Sequence, residues 1–465
     1  MKIHYEFGGI WVLGLLACLS IGCQPADEEI SGELAPEAVT TLTQEHNSWT
    51  KQDLNRRIRI AMLPYGGAKH FTLPDDDQLD LIPEDDHNKL NAKKVELGKL
   101  LFHETGLGVD NVRPDGEMTY SCASCHNADA GFQANRRQGI GEGGVGFFDR
   151  QPDPLYDDIE LDVQPIRSPT AMNGAYQRVM LWGGQLGGGS VNKGTEARWA
   201  EGTGPENNFL GLDGLETQAV AGMETHRLSF VRSGLTTNPT YIQLFDEAFP
   251  ELDPSERMTD LNAALAIAAF ERTMIANRAP WQEYLRGDLS AMTTQQMRGA
   301  LLFMTKADCV TCHRGPALNS ESFHALGMGD LSGPDIVGPD KEFPERFGRG
   351  GFTANAFDLY KFKTPQLYNL TDSEFYGHGG TFTSIRQVLE YKNDGVPENA
   401  GVPDVHISEH FEPLRLRNHE LDDLEAFLTY ALYDPNLNRY EPGTLPSGKC
   451  TPHNDPLSRI ELGCD

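Results

Sequence analysis

The chain has 465 residues, enough for two domains with a hydrophobic core each. Its 68 Asp and Glu against 39 Lys and Arg give a net charge of −29, which argues against nucleic acid as a partner. The same surface suits a basic partner protein steered in by charge, as well as plain solubility.

At the N-terminus, Lys2 precedes an apolar run from Ile10 to Ile21. The run is too short to span a membrane and reads as an export signal. Cys23 follows Ser20-Ile21-Gly22 and precedes the polar Gln24-Pro25-Ala26-Asp27, the setting of a bacterial lipoprotein cysteine. Cys18, after Leu15-Leu16-Ala17, is a second candidate, and an ordinary cleaved signal is the alternative to both. A signal over residues 1–23 places the protein in the periplasm, with a lipid anchor at Cys23. Residues 24–88 are acidic and interrupted by Pro25, Pro36, Pro64, Pro74 and Pro83. They predict a tether followed by an irregular segment wrapped on the first domain.

A helix is predicted from about Lys89 to Phe102. It ends in Leu97-Gly98-Lys99-Leu100-Leu101-Phe102 and leads to Cys122-Ala123-Ser124-Cys125-His126. The arrangement recurs: Arg298-Gly299-Ala300-Leu301-Leu302-Phe303 leads to Cys309-Val310-Thr311-Cys312-His313. C-x-x-C-H is the attachment pattern of haem c. Its spacing lets two thiols reach one porphyrin edge while the adjacent imidazole comes under the iron. The two Cys pairs lie too far apart in sequence for a shared zinc site. A helix feeding each pattern is what a duplicated module shows. The sequence therefore predicts two covalently bound haems, one in a domain over 89–290 and one over 291–445. The longer first connector, with Gly106, Gly108, Pro114 and Gly116, reads as an inserted surface loop.

Between Gly139 and Gly214 the chain is rich in glycine, with Pro152, Pro154, Pro165 and Pro169, and reads as loop covering a haem. A helix follows over about 259–277, with Thr259 as N-cap and Leu261, Leu265 and Ala269 on one face. The last predicted helix starts near Asn418, with Glu420, Asp422 and Asp423 in the turn where the dipole favours acids. Leu421, Leu424, Leu428 and Leu432 make its stripe, and Pro435 stops it. No convincing hairpin signal appears. The fold class is mainly α, two cytochrome c-like haem domains with long loops. In the tail, residues 446–465, Cys450 and Cys464 read as a disulfide in an oxidising compartment or as two free thiols.

Blocks spread over about residues 90–435 resemble the bacterial di-haem cytochrome c peroxidase and MauG superfamily. Besides the two haem patterns they are Leu97-Gly98-x-x-Leu101-Phe102, Ser168-Pro169-Thr170, Leu215-Glu216-Thr217-Gln218-Ala219 and Ala269-Phe270-Glu271-Arg272-Thr273. Further on come Tyr284-Leu285-Arg286-Gly287-Asp288, Lys363-Thr364-Pro365 and Tyr376-Gly377-His378-Gly379-Gly380.

The resemblance implies that one haem receives hydrogen peroxide on an open distal side while the other stores electrons. Cys122, Cys125 and His126 match the peroxide-reacting site. The loop from Gln138 to Gly144 lacks the His that blocks this iron in other members, which implies a high-spin first haem. The sixth ligand of the second haem is Met or Tyr in the family. Ungapped counting from Thr383 reaches Tyr391, and Met328 is the alternative. Trp182 matches an aromatic placed between the haems. Gln218 matches a family Gln, but the Glu expected ten residues later is Leu228 and the Pro four later is Gly222. Glu224 and His226 are the nearest groups for proton transfer, with Glu224 preferred. The family also holds one calcium ion. Arg167 stands where its Asn ligand would be, leaving oxygens of Ser373 and Phe375. His378 is expected to hydrogen-bond near the second haem.

The implied activity is reduction of hydrogen peroxide with electrons from a small cytochrome or cupredoxin. The alternatives are MauG-like, peroxide-dependent oxidation of Tyr or Trp on a partner protein, and a non-enzymatic di-haem electron carrier. A dimer is implied by family analogy.

Overall fold

Two glycines decide where the main helices cross. The computed structural model describes residues 48–338 and 343–464. The export signal, Cys23 and the first part of the tether lie outside the described residues. The helices that position the sites are α1 (Lys51–Met62), α2 (Ala92–His103), α3 (Gly214–Thr225), α4 (Pro239–Ala248) and α5 (Asp260–Thr273). They continue as α6 (Pro280–Arg286), α7 (Thr294–Met304), α8 (Ile385–Asp394), α9 (Asn418–Ala426) and α10 (Pro456–Leu462). Strand structure among the described residues is confined to two short antiparallel pairs, Gly144–Val145 with Gln151–Pro152 and Phe323–His324 with Phe362–Lys363. The protein is mainly helical. No described helix is long and apolar enough to cross a membrane.

The helices gather in two groups. In one, α2 and α3 pack on α5, and α4 packs on α2. In the other, α1 and α9 pack on α7, and α8 packs on α9. A Cβ added to Gly98 on α2 would lie 1.8 Å from the Ala266 carbonyl oxygen of α5 and 2.9 Å from Phe270 Cβ. One added to Gly299 on α7 would lie 2.0 Å from the Asp423 carbonyl oxygen of α9 and 2.7 Å from Phe427 Cβ. Four residues after each glycine, Phe102 meets Phe270 and Phe303 meets Phe427, both at 5.5 Å between centroids. The internal sequence repeat is therefore a repeated helix crossing, in which glycine admits the partner backbone and phenylalanine fills the space beside it.

Three expectations need correction. Residues 51–62 are helix rather than irregular chain. Thr50 and Asp53 form a capping box, and Leu54, Ile58 and Met62 repeat every fourth residue and are fully buried. This helix packs on α7, in the group that carries the second haem pattern. Pro64 follows its end, where a proline ends a helix rather than preventing one. The helix at 259 is capped by Thr259 as expected but stops at Thr273, and Leu261 is 43% exposed. Its buried face is mostly alanine, which lets α2 and α3 approach closely. The last helix changes after Ala426 to a wider π turn over Phe427–Ala431, still burying Leu428 and Leu432.

The buried Glu216 on α3 receives two hydrogen bonds from Arg272 on α5, at 2.7 and 2.6 Å. A paired charge of this kind holds the two helices in one register. In the tail, Cys450 and Cys464 form a disulfide. The tail returns to the first haem pattern, where Ser121 Oγ and Ser124 Oγ both donate to the Pro452 carbonyl, at 3.1 and 3.0 Å. Arg150 and Asp455 form a buried ion pair beside it.

Ala in place of Gly98 or Gly299 forces the crossing apart and is expected to lower stability by about 1–3 kcal/mol or more. Urea denaturation measures this. Gly443→Ala, where an added Cβ meets nothing within 4 Å, serves as the neutral control.

Candidate haem sites

Both C-x-x-C-H segments fold into the same tight turn. The amides of Cys125 and His126 donate to the Cys122 carbonyl, and those of Cys312 and His313 donate to the Cys309 carbonyl. Each turn brings its two thiols and imidazole to one cavity wall. His126 Nδ1 lies 3.1 Å from the Phe132 carbonyl oxygen, and His313 Nδ1 lies 3.1 and 3.0 Å from those of Leu318 and Pro365. As N–H donors there, both rings leave Nε2 free for a metal. Burial lowers both imidazoles to about 4, so they are neutral at physiological pH. Burial also raises the thiols, Cys125 and Cys309 to about 12, which keeps them protonated. Neutral thiols beside a carbonyl-anchored imidazole fit a haem c at each turn.

The first cavity, of about 90 Å³, is lined by Cys122, Cys125 and His126 on one side and by Gln218, His226 and Asp162 among others. Gln218, Gly222 and His226 follow every fourth residue along α3 and its C-cap, so they share a face. A Cβ at position 222 would lie 3.4 Å from Gln218 Nε2, so Gly222 leaves room between the two side chains. His226 Nδ1 lies 2.9 and 3.0 Å from the Asp162 carboxylate oxygens. Burial pulls the His226 pKa down, but the charge and hydrogen bond of Asp162 outweigh it, and the net shift is upward. The preference for Glu224 is corrected: its side chain is exposed and accepts from Asn207 Nδ2 at 3.2 Å, outside this cavity.

Two lining residues escaped the sequence reading. Asp162 sits in the glycine-rich loop, where no spacing connects it to His226. Gly141 passes so close that a Cβ there would lie 2.2 Å from its carboxylate. Glu271 lay in a quoted block without a role. Burial, then the nearby Glu216 charge, raises its carboxyl to about 8, so it is neutral at pH 7. The loop from Gln138 is pinned rather than loose. Gln138 donates to the Gln164 and Val337 carbonyls and accepts from the Val337 amide.

The second cavity, of about 260 Å³, is lined by Cys312, His313, Trp182, Met328, His378 and Lys392 among others. Tyr391 does not line it. Its ring packs with Phe382 and Phe411, and its hydroxyl donates to the Leu326 carbonyl at 2.5 Å. Tyr391 thus stands outside the cavity that His313 lines. Met328 packs against the same aromatic cluster. His378 stacks on Phe362 and reaches Asp330 at 3.3 Å.

Pro169, Thr170, Met180 and Leu181 line both cavities. Trp182, next in the chain, lines the second, and its indole N–H donates to the Arg167 carbonyl at 2.7 Å. Arg167 is buried. Its guanidinium donates to Ser373 Oγ at 2.7 Å, to the Arg136 carbonyl at 2.9 Å and to Gln133 Oε1 at 3.3 Å. Burial lowers it to about 10, so it stays cationic. Ser373 Oγ in turn donates to the Phe375 carbonyl. The Arg167 guanidinium thus bonds the Ser373 hydroxyl, and that hydroxyl in turn holds the Phe375 carbonyl.

These two turns, each with its cavity in a mainly helical frame, define a two-site haem c protein. Residues 92–290 match the family model described as di-haem cytochrome c peroxidase. Cytochrome-c peroxidase IdrP1 of Pseudomonas sp. (strain SCT) is 29% identical over 387 residues, 78% of this chain and 86% of that one. The methylamine utilization protein MauG of Methylorubrum extorquens is 28% identical over 356 residues, 76% of this chain and 82% of that one. Cytochrome c peroxidase Ccp of Escherichia coli is 29% identical over 296 residues, 63% of this chain and 52% of that one. The solved structure of a MauG-like protein associated with microbial copper homeostasis shares the fold. Its TM-score is 0.56 at 22% identity, covering 76% of this chain and 92% of that one. Over residues 92–290 the chain matches the di-haem cytochrome c peroxidase family, and it is an enzyme of the di-haem peroxidase type.

With Arg167 bonded to Ser373, adding calcium or a chelator is expected to leave the thermal midpoint unchanged. Arg167→Ala is expected to lower stability by about 2–3 kcal/mol, since it strands the buried acceptors. Scanning calorimetry reads both.

Proposed function

We propose that the protein reduces hydrogen peroxide to water in the periplasm, drawing electrons from a small cytochrome or cupredoxin. Two haems c are held by thioether bonds to Cys122 and Cys125 and to Cys309 and Cys312, with His126 and His313 as proximal ligands. The haem at the first turn supplies the iron at which the peroxide bond breaks. The observation that carries the reading is the His226–Asp162 pair, which lines the first cavity together with Cys122, Cys125 and His126.

In this reading His226 is the proton-transfer group. Asp162 accepts the Nδ1 proton, which fixes the tautomer with Nε2 free. Nε2 takes the proton from one peroxide oxygen and returns it to the leaving oxygen, while Asp162 stabilises the imidazolium between the two steps. Gln218, two turns earlier on the same face, orients the peroxide. One peroxide, two electrons and two protons give two waters. The pair takes over the duty of the Glu that Leu228 replaces. The Trp182 segment, whose neighbours line both cavities, carries electrons from the second site to the first. The acidic surface steers a basic donor.

The MauG-like alternative, oxidation of Tyr or Trp on a partner protein, rests on Tyr391 as an iron ligand and on the loop from Gln138 to Gly144 that lacks a His. With that hydroxyl committed to Leu326, peroxide reduction is the reading the geometry favours.

With a reduced small cytochrome as donor, His226→Ala is expected to cut peroxide turnover about 10²–10⁴-fold. Glu224→Gln is expected to leave it unchanged. A wild-type protein that fails to oxidise any reduced small cytochrome or cupredoxin on adding peroxide would refute the peroxidase reading.

The pH profile gives a separate check. The base is active when neutral, and Asp162 favours the protonated form, so the acidic limb of kcat/KM lies above the usual histidine range. Asp162→Asn removes that stabilisation and moves the limb to lower pH.

A further inference from the structure

The second cavity holds a cation with no counter-charge. From Ser384, the N-cap of α8, the positions Ile385, Val388, Leu389 and Lys392 follow at helical spacing, and all four line the cavity. Tyr391, about 100° away around the helix, faces the aromatic cluster instead. Among the described residues, Lys392 Nζ has no hydrogen-bond acceptor and no carboxylate partner. The Phe411 ring lies 5.6 Å from it. Lys392 is half-buried, and its ammonium is turned into a largely apolar cavity.

His324, His378 and Met328, which also line the cavity, each have contacts of their own, and His410 is exposed. The ring nitrogens of His324 meet Ser322 Oγ at 2.9 Å and Ser408 Oγ at 3.2 Å. His378 reaches Asp330. Met328 packs on the Phe382, Tyr391 and Phe411 cluster, and a Cβ at Gly377 would lie 3.1 Å from its sulfur. Lys392 is close enough to Cys309, Cys312 and His313 for its charge to act on all three.

We propose that Lys392 Nζ, as the neutral amine, is the sixth ligand of the iron at the second haem, with His313 as the fifth. On binding, the ammonium releases its proton to solvent and its nitrogen lone pair goes to the metal. An amine favours ferric iron more than a thioether does, so the second site holds its electrons at a lower potential than methionine ligation would give. The proposal rests on the two-haem reading above.

The test uses the ferric holoprotein without peroxide. Haem c content comes from the alkaline pyridine spectrum, and ligation from absorption and low-temperature electron paramagnetic resonance. The wild type is expected to show a low-spin second haem without the sulfur-to-iron charge-transfer band of methionine ligation or the phenolate-to-iron band of tyrosine ligation. Lys392→Ala is expected to abolish that low-spin signal, and Lys392→Met, which retains length and a ligating atom, to introduce the sulfur-to-iron band. Tyr391→Phe and Met328→Leu are expected to leave the signal unchanged. A low-spin signal that survives in both Lys392 variants overturns the assignment, as does its loss in Tyr391→Phe or Met328→Leu. A wild-type protein without two haems c per chain overturns the two-haem reading itself, and the ligand with it.

Discussion

The closeness of two backbones at Gly98 and Gly299 is the constraint on which both sites depend. Each helix that leads into a haem turn lies against its partner with no space for a side chain. The phenylalanine four residues on then fixes the rotation of the pair. Cys309 follows its crossing helix directly, whereas Cys122 follows after a longer connector and its turn packs back on α2. The wall of the first cavity opposite the turn comes from α3 and its C-cap, held to α5 by the Glu216–Arg272 pair. Packing thus sets where the turns sit, and one buried charge pair sets what faces the first of them.

Much of this was legible because it is written in local periodicity. The two C-x-x-C-H patterns, the capped starts at Thr259 and near Asn418, and the repeated Gly and Phe ahead of each Cys pair all follow from short-range chemistry. The residues that needed the fold are those whose partners are distant. Asp162 meets His226 across 64 positions, and a glycine-rich loop has no period to reveal the pairing. Residues 51–62 carried a clear four-residue repeat that surrounding prolines obscured. Counting to Tyr391 fixes a position in the sequence but not the direction its side chain takes from α8. A single residue of helical phase exchanges a phenol for an amine at the cavity wall.

Arg167 shows how a departure from a family pattern is absorbed. A side-chain cation donates where an ion would accept, and the same residue offers its carbonyl to the indole of Trp182. One buried arginine therefore ties the Ser373 region to the segment between the two cavities. Its several hydrogen bonds make it a rigid joint, which suits a path along which electrons pass without rearrangement of the chain.

The tail gives the molecule an order in time. Ser121 and Ser124 frame the first thiol pair, yet the carbonyl they donate to belongs to Pro452, more than three hundred positions later. During synthesis, the first Cys pair emerges long before its last structural partner. It therefore stays accessible until the C-terminus arrives, and only then is it enclosed. The first site encountered in the sequence is the last to be sealed.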